Sequence, residues 1–101
     1  MKIIALFNLK PGASPDEYEQ WAKSRDLPTV AALPSVRAFD VLRASGVLFT
    51  GAEPPYQYIE ILDVTGLDEF MTDCSGEAVQ ALAGEMGAFT DGAVFISTEA
   101  L

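Results

Sequence analysis

The sequence predicts an α+β domain of the ferredoxin-like kind: β-α-β-β-α-β, one antiparallel sheet in the spatial order 4-1-3-2, with both helices on one face. Three observations lead there. The 101 residues, half of them apolar, suffice for one domain over 1–101. Apolar spacing switches between the strand and helix periods in that order along the chain. The first strand is apolar on both faces, as a central strand covered from each side must be. Helices on one face leave the other bare, and wetting it would expose several Ile, Leu and Phe side chains at about 1.5–3 kcal/mol each. A homodimer packing sheet against sheet, a dimeric α+β barrel, resolves this.

Residues 2–9 read as the first strand, and Lys10-Pro11-Gly12 turns the chain. Ser14, Pro15 and Glu17 supply a cap, a proline at the first helical position and a capping-box partner, so a helix is expected from Pro15 to Asp26. Its inward stripe is Tyr18, Trp21 and Ala22, continued by Arg25 and Asp26 where apolar residues would be usual. Pro28 perturbs that helix, and a short turn through Val30 and Leu33 ends before Pro34. Val36–Ala44 and Tyr56–Val64 read as strands around a Gly- and Pro-rich loop from Gly46 to Pro55, long for a hairpin and so a candidate lid. A short helix over Leu67–Asp73 is interrupted at Ser75-Gly76. A second helical segment ends near Gly87 or Phe89, and Ala93–Thr98 makes the last strand.

Composition excludes several chemistries. With no His there is no imidazole base, no Ser-His-Asp or Cys-His pair and no histidine-ligated zinc or haem. A single Cys excludes an intramolecular disulfide and thiolate metal clusters, as suits a reducing cytoplasm. No metal or cofactor is expected, and acid-base work falls to Asp, Glu or Tyr. The net charge of −9 argues against nucleic acid and anionic membranes. All six basic residues lie in the first 43 positions, which carry +1, while the remaining 58 carry −10. That asymmetry implies one acidic face, ordinarily just solvated. The apolar opening MKIIALFNL stops at Asn8 and is followed by Lys10 and Pro11, so it reads as a strand and not a leader. No apolar run approaches the roughly 20 residues that span a bilayer.

The candidate chemistry is a pair of carboxylates. If the loop is centred on residue 50, facing positions of the second hairpin sum to about 100. Arg37 then meets Asp63, Arg43 meets Gln57, and Asp40 meets Glu60 within a patch of Leu, Ala and Tyr. Facing carboxylates in such a setting repel each other and are desolvated, which raises the pKa of one of them. Helix and strand rises bring Arg25 and Asp26 level with the middle of the sheet, so Arg25 is a candidate to neutralise the pair. Glu60, Asp26 and Asp40 are the candidate proton-transfer residues. The bland alternative is that this face is the dimer surface, or a wet edge with Asp40 simply exposed.

The remaining candidates concern binding. Tyr56 and Tyr58, two apart, are expected to point the same way as Glu60 and to stack on or hydrogen-bond a flat ligand. Trp21 and Tyr18 are core residues first and cleft walls second. Asn8 more often caps the following turn than binds a ligand, and Cys74, with acidic neighbours, reads as inert.

Four stretches, MKIIALFNLKPG, RDLPTVAALPSV, EPPYQYIEILDV and VFISTEAL, resemble the RedY-like or HapK-like family over nearly the whole chain, with RDLPTV and PPYQYIE the most specific. Arg25, Asp26, Tyr58 and Glu60 lie inside them. The resemblance implies a dimeric α+β barrel and a role in prodiginine or bisindole pathways, on flat, apolar, nitrogen-containing aromatics. Three classes stay open. One is an enzyme of condensation or cyclisation working by carboxylate acid-base chemistry. Another is a non-catalytic chaperone dimer that holds a pathway intermediate between aromatic walls. The third is a cofactor-free oxygenase.

Overall fold

The structure is a computed structural model and describes residues 1–101. Strands β1 (Lys2–Phe7), β2 (Val36–Arg43), β3 (Tyr58–Val64) and β4 (Val94–Ser97) form one antiparallel sheet, ordered β2-β3-β1-β4. That is the expected order read from the other edge, with β1 in the interior. One helical rod precedes β2: α1 (Pro15–Trp21), a π-helical segment (Ala22–Asp26) and α2 (Leu27–Ala31). Helices α3 (Leu67–Cys74) and α4 (Glu77–Met86) lie between β3 and β4. Half of the expected capping box forms: the Glu17 N–H donates to Ser14 Oγ at 3.2 Å. No helix is long and apolar enough to cross a membrane.

The first helix does not end ahead of Pro28. Its buried stripe is Tyr18, Ala22, Asp26 and Val30, each four residues on. In a regular α-helix that spacing drifts by about 40° per step. The wider i→i+5 turn, closed by the Leu27 N–H on the Ala22 carbonyl, takes up the drift and accommodates the missing N–H of Pro28. Asp26 therefore faces the sheet. Arg25, one position round the helix, faces solvent.

The register of β2 on β3 departs from expectation by one residue. Val36 pairs with Val64 as expected, but a bulge at Arg37 makes Ala38 pair with Asp63, Asp40 with Ile61 and Val41 with Glu60. A one-residue slip exchanges the two faces of a strand. Asp40 is thus exposed on the face away from the helices, and the expected Asp40–Glu60 pair does not form. The expected Arg37–Asp63 pair is also absent; Asp63 instead lies 3.7 Å from the N-terminal ammonium. Arg43 pairs with Glu19 on α1, not Gln57.

On the helix face two apolar clusters form, one of Ile3, Val30, Leu62, Val64 and Leu82, the other of Phe7, Tyr18, Ala22 and Tyr58. The opposite face carries Ile4, Leu6, Leu42, Ile59, Ile61, Val94 and Ile96, aligned across all four strands and all at least partly exposed.

The loop between β2 and β3 is held at its far end by Asn8. Its Nδ2 donates to the Pro55 carbonyl at 3.1 Å, and the Gln57 N–H donates to its Oδ1 at 2.9 Å. Asn8 thus fastens the loop, and no residue of the loop lines the main cleft, so the expected lid is not found there. Asn8→Ala should cost about 1–2 kcal/mol, the usual net worth of two such bonds. Urea unfolding at an unchanged midpoint would count against this role.

Candidate functional site

A cleft of about 620 Å³ separates the helix face of the sheet from α3 and α4. It exists because α3 stands off the sheet: none of its residues is buried, Leu67 and Met71 form a wall, and of its side chains Phe70 reaches the edge of the core cluster. Trp21, Phe39 and Phe95 add aromatic surface. Asp26 and Glu60 are the two buried charged groups of the lining, 6% and 5% exposed.

Both carboxylates sit at the seam between the two apolar clusters. Glu60 falls between Tyr58 and Leu62 on β3, and Asp26 between Ala22 and Val30 on the rod. Across β1 the residue paired with Glu60 is Ala5, the small member of the Ile3-Ala5-Phe7 row, which leaves space there. Glu60 Oε1 has no hydrogen-bond partner, and neither has the buried hydroxyl of Tyr18. Burial, reinforced by the charge of Asp26, pushes the Glu60 carboxyl up to about 8. Burial alone raises Asp26 to about 6. Burial pushes the Tyr18 phenol upward, with Glu60 and then Asp26 adding to it, so its hydroxyl stays protonated beside them.

Of the sequence candidates, Glu60, Asp26 and Trp21 come together in the cleft. The rest do not. Arg25 cannot neutralise the pair because its guanidinium is engaged outside, with Nε on Glu85 Oε1 at 3.0 Å and Nη2 on Oε2 at 2.6 Å. The same carboxylate accepts the Trp21 indole N–H at 2.9 Å, which fixes that wall of the cleft. Tyr58 shares the face of Glu60 but is core: its ring stacks on Phe7 with centroids 5.5 Å apart, and its hydroxyl donates to Glu19 at 2.8 Å. Tyr56 precedes β3 and lines a separate, smaller hollow beside Asn8. Burial and neighbouring Asp73 raise the Cys74 thiol, in keeping with an inert side chain. No three Asp, Glu, His or Cys side chains converge as metal ligands would.

Sequence reasoning passed over Tyr18 as a polar neighbour of the pair and Glu85 as the anchor of Trp21 and Arg25. The small Ala5 in a row of large residues marked the space opposite Glu60, not the place of Tyr18. No local signal pointed to Glu85.

A four-stranded antiparallel sheet in this order, with its helices on one face, defines a protein of the ferredoxin-like fold. Within that class the chain belongs to the HapK family of REDY-like proteins, whose family model matches residues 1–101. It is similar to HapK from Hahella chejuensis, at 27% identity and a TM-score of 0.75, over 100% of this chain and 95% of that one. A dimeric ferredoxin-like protein from Thermobifida fusca shares the fold at 21% identity and a TM-score of 0.70, over 94% and 85% of the two chains. SnoaB from Streptomyces nogalater, a cofactor-independent oxygenase, shares it at 16% identity and a TM-score of 0.74, over 99% and 93%. A search of curated proteins found no match.

Proposed function

We propose that this protein serves secondary metabolism as a homodimer whose cleft takes up a flat, apolar pyrrole or indole intermediate of a prodiginine-type pathway. There the Glu60–Asp26 pair moves a proton during condensation or cyclisation. The observation that carries this reading is Glu60, buried in the lining of an apolar cleft with one carboxyl oxygen unpartnered. A fold that needed only stability would gain from an apolar residue at that position. Family membership supports the metabolic setting.

The pair is suited to both halves of such chemistry. With one carboxyl raised to about 8 and the other to about 6, it holds a single proton near neutrality. The protonated member donates to the electrophile. The ionised member accepts the ring proton whose departure restores aromaticity. General acid-base catalysis of this kind contributes about 10²–10⁴-fold.

The expected rate profile is a bell with limbs near 6 and 8. Asp26→Asn should lose at least about 10²-fold and the acid limb with it. Metabolite profiling of a deletion strain carrying Asp26→Asn supplies the test. Full restoration of product, together with a flat profile across that range, would remove the proton-transfer role and favour a carrier that binds without turnover.

A further inference from the structure

The polar inventory of the cleft is one-sided. Asp26 and Glu60 are buried in its floor, and no Lys or Arg lines it; Asp91 stands at its edge, paired with Lys10 at 3.5 Å outside the cleft. The basic residue nearest in sequence, Arg25, is committed to Glu85 outside. The framing helices repeat the bias: α3 carries Asp68, Glu69 and Asp73, α4 carries Glu77 and Glu85, and neither has a base. A buried carboxyl stays ionised only where a cation compensates it, and the protein supplies none to Glu60 or Asp26. A ligand is left to supply one.

We propose that the cleft selects its ligand as a cation: an apolar, aromatic-sized molecule with one protonated nitrogen, whose N–H donates to the Glu60 carboxylate while Asp26 adds the second negative charge. This rests on the reading of the cleft as a small-molecule site and goes beyond it by fixing the charge of the molecule taken. The aromatic side chains of Trp21, Phe39 and Phe95 suit such a body, because ring faces attract cations as well as apolar surface. The overall charge of −9 favours the approach of a cation over that of an anion.

Binding has a proton balance. In the free protein Glu60 is protonated near neutrality. To accept the N–H of a ligand that arrives as a cation it releases its proton to solvent, and the ligand keeps its own, so one proton leaves for each cation bound; the ion pair formed is the same one Glu60 reaches by protonating a neutral electrophile. The titratable groups that face Glu60 are Asp26 from the π-helical segment and Tyr18 from α1. Its strand neighbours are Ala5 and Val41, and the far wall brings Cys74 and Asp91. None is a cation, so Glu60 loses its proton only when the ligand arrives, and affinity for the cation rises with pH until Glu60 is ionised without it.

The test uses three tricyclic probes of one shape: 9-aminoacridine, a cation at neutral pH; acridine, neutral; and acridine-9-carboxylate, an anion. They are titrated calorimetrically into the full-length protein at about pH 7 in two buffers of different ionisation heat. The cation is expected to bind at least about tenfold more tightly than acridine, the worth of one charge-assisted hydrogen bond, and the anion not at all. Proton release should approach one per cation in the wild type and vanish in Glu60→Gln, with about a tenfold loss of cation affinity. Should Glu60→Gln not fold, Asp26→Asn is expected to show the same loss of preference for the cation. Acridine binding as tightly as the cation, or undiminished proton release in Glu60→Gln, would overturn the cation preference and leave the small-molecule site standing. Failure of all three probes to bind would remove both readings together.

Discussion

Glu60→Gln is expected to abolish at least about 99% of turnover while making the protein more stable at pH 8. The two effects have one cause. The carboxyl titrates near 8 in the folded chain against an ordinary 4.5. Between those values the unfolded state has released a proton that the folded state still holds, so stability is full below about 4.5 and falls as pH rises toward 8. The accumulated penalty is on the order of 3–5 kcal/mol, since each pH unit of displacement is worth about 1.4 kcal/mol. Asp26, raised to about 6, adds a smaller penalty of the same sign. Glutamine keeps the shape and never ionises, so it escapes the cost. Its melting temperature should exceed the wild type by at least about 5 °C at pH 8, with the difference gone near pH 4. Equal melting temperatures at both pH values would mean that Glu60 is solvated in the folded state.

Ile61→Lys should convert the protein from dimer to monomer at micromolar concentration. Ile61 lies on β3 in the apolar face away from the helices, between Ile4 on β1 and Asp40 on β2. In a sheet-against-sheet dimer that position is interior, and an unpaired ammonium there costs several kcal/mol, equivalent to at least about a 10³-fold weaker association. The wild-type interface should bury about 1,200–2,000 Å². Sedimentation of the wild type as a stable monomer would remove the dimer from the proposal. Asp40 supplies a second check. It stands on the same face, so Asp40→Leu should strengthen association, whereas a carboxylate placed beside Glu60 would have predicted an effect on proton transfer.

Much of the fold was legible because the signals behind it are local. The doubly apolar β1 announced an interior strand, and Ser14-Pro15 announced where α1 begins. Alternation along β3 placed Tyr58, Glu60, Leu62 and Val64 on one face, and that face is the buried one. Helical spacing put Asp26 on the inward stripe, beside Arg25. What misled was Pro28, which reads as a helix end when the chain has a π-turn available to pass it.

The sequence by itself therefore determined the order of elements, the sharing of one β3 face by Tyr58, Glu60, Leu62 and Val64, and the absence of imidazole chemistry, since each follows from residue type or from a strand period of two; which face lies under the helices, and that Asp26 and not Arg25 points inward, came from the packing. Only the tertiary structure decided which carboxylate meets Glu60. A single bulged residue, Arg37, turns Asp40 to the opposite face, and strand periodicity has no memory of such a slip. The fate of Arg25 was likewise settled at a distance, by a glutamate 60 residues along the chain. The cleft exists because α3 stands away from the sheet, and how far a helix stands off depends on the side chains of every element it faces.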